Sequence, residues 1–235
     1  MTDKENSLKE KRVFGRKLGR PIKGARQDAL DTLLPALSIP AGDLREDGTL
    51  DPASFFDAPY SATWFEIGFG NGEHLSGLMR QHPDTAYIGA EPYINGMANF
   101  LKDIKDDPHD HIRVHMDDAM MVANSLSDNS LDGMYVLNPD PWHKKRHHKR
   151  RIISQANLEC FARILKHGGQ LIMSTDVPYL AEWMVTQTIA HGGFEWQAKS
   201  AADFWTKPDG WIETVYETKR AKGADRMVYL IFTRK

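Results

Sequence analysis

The chain has 235 residues, 41% of them hydrophobic, which is enough for one α/β domain with a sizeable core. No apolar run approaches the roughly 18 residues that a membrane span needs, and the basic N-terminus lacks the apolar stretch of a signal peptide. Cys160 is the single cysteine, which excludes an intramolecular disulfide and favours a cytoplasmic protein.

The net charge of −2 hides a strong segregation of charge along the chain. Residues 9–26 and 143–151 together hold 14 of the 30 basic residues and one of the 32 acidic residues. Two short cationic segments on an acidic body are typical of proteins that bind a polyanion such as nucleic acid. We predict a flexible basic arm over residues 1–30 and a single domain over residues 31–235.

From residue 63 onward, short apolar runs alternate with helical stretches. The expected strands cover residues 64–67, 86–90, 112–115, 131–137, 171–174, 194–198 and 227–233. The expected helices cover residues 73–80, 94–105, 151–166 and 179–190, and paired glycines at 168–169 and 192–193 end the last two. This alternation predicts a doubly wound, mostly parallel seven-stranded sheet with helices on both faces and an antiparallel final strand. The ligand is expected beyond the carboxyl ends of the strands.

The first strand ends in a loop that contains Gly68, Gly70 and Gly72. Glycines at alternate positions allow a tight turn and a close approach of the backbone to a ligand. The spacing differs from the G-x-G-x-x-G pattern of dinucleotide-binding proteins. The loop therefore predicts a nucleotide-like ligand other than NAD.

Acidic residues follow three consecutive strands of the predicted sheet. Glu91 is placed to accept the hydroxyls of a ribose, Asp118 to accept an adenine amino group, and Glu66 to face an ammonium group. Such a pocket suits a cationic sulfonium nucleoside and suits a pyrophosphate poorly. The predicted cofactor is therefore S-adenosylmethionine.

The fourth strand leads into a loop, residues 138–142, that contains two prolines around Asp140. The prolines stiffen the loop and would hold the aspartate at the mouth of the site. A basic run follows at once, with Lys144 at its start. The expected phosphate contacts are Arg146, Lys149, Arg150 and Arg151 in this run, with Arg16, Lys17 and Arg20 in the arm.

No metal site is expected in the histidine-containing part of this run. His143 and His147 are four residues apart, but no carboxylate or thiol completes a ligand set at helical spacing. Histidines in a phosphate-facing basic segment are the simpler interpretation.

The segment PDPWHKKRHHKRR at residues 139–151 resembles the signature of the bacterial tRNA (guanine-N7)-methyltransferases. GRKLGR at residues 15–20, EIGFGNG at 66–72, TDVPY at 175–179 and TVYE at 214–217 are similar to other segments of that family. The resemblance covers nearly the whole chain. Asn138 stands where the family commonly has an aromatic residue.

The resemblance implies methylation of N7 of guanine 46 in the variable loop of tRNA, by a monomer or a homodimer. It implies Asp140 as the catalytic acid and as a cofactor contact beside Glu66, Glu91 and Asp118. It implies a substrate-binding set made of Lys144, Asp176, Thr214, Val215, Tyr216 and Glu217.

Two other functions remain open from the sequence. A methyltransferase for an exocyclic amine would use an Asn-Pro-Pro-aromatic loop, which residues 138–142 resemble with one inserted residue. A non-catalytic RNA-binding protein on the same fold is the second alternative, and the intact acidic and glycine positions argue against it.

Overall fold

The computed structural model describes residues 17–219 and 226–235. The strands are β1 (Ala62–Ile67), β2 (Thr85–Ala90), β3 (Ile112–His115), β4 (Leu131–Leu137), β5 (Leu165–Thr175), β6 (Phe194–Trp196) and β7 (Val228–Arg234). The helices are α1 (Ala25–Leu37), α2 (Glu73–Gln81), α3 (Ile94–Ile104), α4 (Ala119–Ser125), α5 (Gln155–Ile164), α6 (Pro178–His191), α7 (Ala201–Trp205) and α8 (Val215–Lys219). Short 3-10 helices cover Ala41–Asp43, Pro52–Phe55 and Lys145–Arg150.

The seven strands form one sheet in the order β3-β2-β1-β4-β5-β7-β6. Strands β1 to β5 run parallel, and β7 is antiparallel to both β5 and β6. The predicted fold class is therefore confirmed. The strand order reverses between β1 and β4, so their carboxyl ends diverge into a crevice where such sheets bind ligands.

Apolar side chains cover both faces of the sheet, as a parallel sheet requires. One cluster packs α4, α5 and α6 against the sheet and includes Phe65, Met134 and Phe161. A second cluster packs α1, α2 and α3 against the opposite face and includes Phe100 and Ile112. These two cores hold the carboxyl ends of β1 and β4 in a fixed relation.

The helix predicted over residues 151–166 is wrong in its bounds. Ser154 caps α5 by accepting a hydrogen bond from the Asn157 backbone N–H, so the helix begins at Gln155. The chain then turns directly into β5, and Gly168 lies inside that strand with a φ of +81°. The ladder between β4 and β5 shifts register beside this glycine, so the paired glycines mark a strand irregularity and not a helix end.

Four helices of the structure, α1, α4, α7 and α8, were not predicted from the sequence. Residues 25–30, assigned to the arm, belong to α1, where Ala29 and Leu30 are buried. Helix α4 was not predicted because its seven residues are too few for a clear helical period. The division into an arm and one domain otherwise stays a prediction.

Candidate active site

A cavity of about 770 Å³ opens at the carboxyl ends of β1, β2 and β4, where the strand order reverses. The loops after these strands and the start of α4 form its walls, and α8 closes one side. Its lining includes many predicted site residues: Glu66, Gly68, Gly70, Glu91, Asp118, Asp140, Lys149, Arg150, Arg151, Thr214 and Tyr216. Groups that are up to 150 residues apart in the sequence therefore meet at one site.

The glycine loop between β1 and α2 is left-handed at each of its three glycines. Gly68, Gly70 and Gly72 have φ values of +71°, +60° and +83°, which residues other than glycine rarely adopt. A Cβ built on Gly68 would have no atom within 4 Å, whereas one on Gly72 would collide with the Phe100 ring. Gly68 thus faces open space for a ligand, and Gly72 allows close packing against α3.

Glu91 fixes the position of the glycine loop from the end of β2. Its two carboxylate oxygens accept the backbone N–H groups of Gly70 (2.7 Å) and Tyr93 (2.8 Å). Burial raises the pKa of Glu91, and the nearby carboxyl of Asp140 adds to that rise. Each oxygen keeps a second lone pair, so the carboxylate can still accept a hydrogen bond from a hydroxyl group of a ligand.

Glu66 is 2% exposed at the end of β1. Its Oε2 lies 2.8 Å from Nδ1 of His74, a buried histidine of α2 whose ring lies against Tyr135 and Trp211. The sequence did not indicate His74, because the contact joins residues of two elements and matches no motif. This pairing orients the carboxylate at the floor of the cavity.

Asp118 caps α4 after β3. Its Oδ1 accepts the backbone N–H of Met120 at 3.0 Å. Asp117 beside it is paired with Lys17, 3.0 Å away, and the Lys17 carbonyl accepts the backbone N–H of Ile94. The part of the arm that the structure describes therefore lies against the rim of the cavity.

The loop after β4 is held in an unusual conformation around Asp140. Asn138 and Trp142 have φ values of +46° and +43°, which cost non-glycine residues about 1–3 kcal/mol each. The Asn138 backbone N–H donates to the Ser174 carbonyl at 2.9 Å, which ties the loop to β5. Asp140 is exposed at the cavity mouth, and partial desolvation by the cavity walls raises its pKa.

The buried side chain of Arg151 stabilises the loop after β4. It is 4% exposed, and its Nε donates to the Pro141 carbonyl at 3.0 Å. Its guanidinium carbon lies 4.7 Å from the ring centroid of Trp183 and 5.6 Å from that of Tyr179. This buried position disagrees with the phosphate contact predicted for Arg151, because the guanidinium is committed to the loop.

The other residues of the basic run remain at the surface. Lys144, Arg146 and Lys149 are exposed, and the guanidinium of Arg150 lies 4.9 Å from the ring centroid of Trp142. Arg20 is exposed too, whereas Arg16 lies outside the described residues. The cationic surface therefore begins at the cavity mouth, beside Asp140.

The predicted substrate residues separate into two groups. Thr214 and Tyr216 line the cavity, and the exposed Tyr216 ring packs near Gly70. Lys144, Asp176, Val215 and Glu217 are not among the lining residues. Glu217 is buried and accepts the indole N–H of Trp211 at 3.1 Å, so it supports α8 from inside.

We expect Arg151→Lys to lower the free energy of unfolding by about 2 kcal/mol, since lysine cannot reproduce the planar contact with Trp183 or the Nε donor. Chemical denaturation measures this, with Arg146→Lys on the exposed face as the matched control. Equal stability of the two variants would show that the guanidinium does not hold the loop.

Within residues 17–219 and 226–235, no helix is both long and apolar enough to cross a membrane. In the same part of the chain, no three histidine, cysteine, aspartate or glutamate side chains gather as a metal site would require.

Structural comparison shows the fold. An antibiotic-related methyltransferase superposes with a TM-score of 0.51 at 16% identity, over 75% of this chain and 89% of that one. The aminoglycoside resistance methyltransferase NpmB1 gives the same TM-score at 17% identity, over 76% and 89%. The sheet and its surrounding helices thus have the same fold as these two proteins.

Sequence comparison shows the family. A family model described as "Putative methyltransferase" matches residues 61–229. A tRNA (guanine-N(7)-)-methyltransferase of Rhodospirillum rubrum is 39% identical over 98% of this chain and 91% of its own length. One of Mesorhizobium japonicum is 42% identical over 94% of each chain. This chain therefore belongs to the tRNA (guanine-N(7)-)-methyltransferase family.

Proposed function

We propose that this enzyme transfers a methyl group from S-adenosylmethionine to N7 of a guanine in tRNA, at position 46 of the variable loop. One observation carries the proposal: an acid-lined cavity, a stiff loop that presents Asp140, and an exposed cationic surface adjoin one another. The names of relatives 37–42% identical to this chain support the same reaction. We propose a cytoplasmic location, because the proposed substrate is tRNA.

The lining residues fit the methyl donor. Glu91 would accept the ribose hydroxyls, Asp118 the adenine amino group, and Glu66 the ammonium of the methionine part. The open space beside Gly68 leaves room for that part of the ligand. S-adenosylmethionine, when bound, supplies a methyl group on a positively charged sulfur.

The target nitrogen sets what the residues must do. N7 of guanine carries a lone pair and no proton, so no general base is needed to create the nucleophile. Asp140 and Asp176 would accept hydrogen bonds from the guanine edge and favour the positive charge that develops on the purine. Lys144 would bind a phosphate group, and Thr214 and Tyr216 would line the space that the base occupies.

The RNA must deform to reach the cavity. A stacked base cannot approach a cavity at strand ends, so the target guanine would leave its stack. Phosphates on either side of it would then lie against Arg146, Lys149 and Arg150. The cationic surface would thus position the RNA, and Asp140 would act on the reacting base.

We expect Lys149→Ala to weaken tRNA binding and to flatten its salt dependence. Loss of one phosphate contact lowers the slope of log K against log salt by about 0.7–0.9. Fluorescence anisotropy with labelled tRNA at several salt concentrations measures the slope. Lys102→Ala, on the exposed side of α3, is the control. A Lys149 variant with the control's slope would argue that this surface does not contact phosphate.

Methyl mapping tests the proposed reaction. Unmodified tRNA is incubated with the protein and labelled S-adenosylmethionine, and the modified nucleotide is identified by mass spectrometry. We expect one 7-methylguanosine at position 46. A methyl group on an exocyclic amine, or no transfer at all, would overturn the proposal.

A further inference from the structure

A buried imidazole lies behind the floor of the cavity. His74, in the first turn of α2, is 1% exposed, and its Nδ1 lies 2.8 Å from Oε2 of Glu66. An ionised carboxylate only accepts hydrogen bonds, so Nδ1 is the donor. The contact joins the end of β1 to the helix that follows the glycine loop, and it therefore closes that loop from inside.

Two aromatic rings enclose the imidazole of His74. Its centroid lies 4.6 Å from that of Tyr135 in β4 and 5.1 Å from that of Trp211. The indole N–H of Trp211 is itself bound to the buried carboxylate of Glu217 in α8. A side chain enclosed by packed rings keeps one rotamer, so Nδ1 stays directed at Glu66.

The Glu66 carboxylate is the part of this pair that faces the cavity. Glu66 is among the lining residues, whereas His74 is not. Oε2 is bound to His74, so Oε1 is the oxygen that remains for a donor group of a ligand. The open space at Gly68 lies two residues further along the chain. A cation in that space would be attracted strongly, because a site with little water screens charges weakly.

We propose that His74 is a positioning residue for the methyl donor, which holds the Glu66 carboxylate in the orientation that recognises the α-ammonium group of S-adenosylmethionine. This inference rests on the proposed function and adds the group that acts behind Glu66. Because His74 lies outside the cavity lining, its effect should fall on donor binding and not on the chemical step.

Two variants separate the hydrogen bond from the volume of the side chain. His74→Asn can place an amide N–H near the position of Nδ1, whereas His74→Leu fills the space without a donor. His111→Leu is the matched control, because His111 is also buried and its Nε2 lies 3.3 Å from the Met79 carbonyl, outside the cavity. Binding is measured below the lowest melting temperature of the three variants, so that folded proteins are compared.

The test compares two ligands that differ by one group. S-adenosylhomocysteine carries the α-ammonium group, and its deaminated analogue carries hydrogen at that carbon. In calorimetry we expect the unaltered protein to prefer S-adenosylhomocysteine by about tenfold or more, as a charge-assisted hydrogen bond would give. His74→Leu should lose most of this preference, because a carboxylate without its donor no longer keeps one orientation. His74→Asn should retain most of it, and His111→Leu all of it.

Steady-state kinetics supplies a second measurement. We expect His74→Leu to raise KM for S-adenosylmethionine by about tenfold and to change kcat by less than about twofold at saturating donor. An equal loss of affinity for both ligands, or a loss of kcat with KM unchanged, would show a general structural role and overturn the inference.

The remaining results separate the two proposals. If the unaltered protein transfers no methyl group to tRNA, the proposed function fails. If it transfers the methyl group but shows no preference for S-adenosylhomocysteine over the deaminated analogue, this inference fails. It also fails if the preference is unchanged in His74→Leu, is lost equally in His111→Leu, or is lost as fully in His74→Asn as in His74→Leu.

Discussion

Replacing Asp140 with alanine is expected to lower kcat by on the order of 10²–10³-fold while most of the tRNA affinity survives. The carboxylate lies at the mouth of the cavity on a loop fixed by two prolines, two left-handed residues and the Arg151 contact. Preorganised electrostatic groups beside a developing charge commonly contribute an effect of this size. Single-turnover kinetics with bound tRNA measures it without interference from product release.

A matched aspartate outside the site controls for the loss of charge. Asp57 is exposed in the segment before β1 and does not line the cavity, so Asp57→Ala should retain the normal rate. An Asp140→Ala protein with the same single-turnover rate as the Asp57 variant would remove Asp140 from the mechanism.

The carboxyl group of Asp140 should also determine how the reaction rate falls at acidic pH. Desolvation raises the pKa of Asp140 above its ordinary value, and the ionised form is the one that favours the purine cation. The rate should therefore fall as the pH decreases through this raised pKa, at a higher pH than an ordinary aspartate would give. Asp140→Asn should lose that limb, provided that the protein remains folded over the same pH range.

Replacing Glu91 with glutamine is expected to weaken the binding of the methyl donor by about tenfold or more. The carboxylate accepts hydrogen bonds from two backbone N–H groups, that of Gly70 in the loop after β1 and that of Tyr93 in the loop after β2. An amide nitrogen cannot accept, so one backbone N–H would lose its partner at a cost of about 1–3 kcal/mol. The glycine loop would then no longer be held in its binding conformation.

Calorimetry with S-adenosylhomocysteine measures this loss. Glu182→Gln on the exposed side of α6 is the control, and its affinity should equal that of the unaltered protein. If Glu91→Gln bound the ligand as tightly as the control, the end of β2 would have no role in holding a nucleoside.

The strand ends were predictable because they depend on local patterns. Short apolar runs, the alternate glycines at 68–72 and the stiff loop around Asp140 each follow from a few neighbouring residues. The topology of a parallel sheet then brings these loops to one edge, whatever the details of packing. Fold class and the cavity-lining acids could therefore be inferred without coordinates.

The contacts between distant residues were not predictable in this way. The sequence of nine basic and histidine residues at 143–151 does not show which side chain is buried. Arg151 is the buried one because its guanidinium packs on the rings of Trp183 and Tyr179 in α6. The pairing of Glu66 with His74 and the internal role of Glu217 also depend on three-dimensional packing. The paired glycines at 168–169 were misinterpreted because glycine is common both at helix ends and at strand irregularities.

The most direct test of the account is a crystal structure of the protein with S-adenosylhomocysteine. We expect the ribose hydroxyls at Glu91, the adenine amino group at Asp118, and the sulfur directed toward the space beside Asp140. A ligand bound away from the glycine loop, or with its sulfur shielded from Asp140, would contradict it.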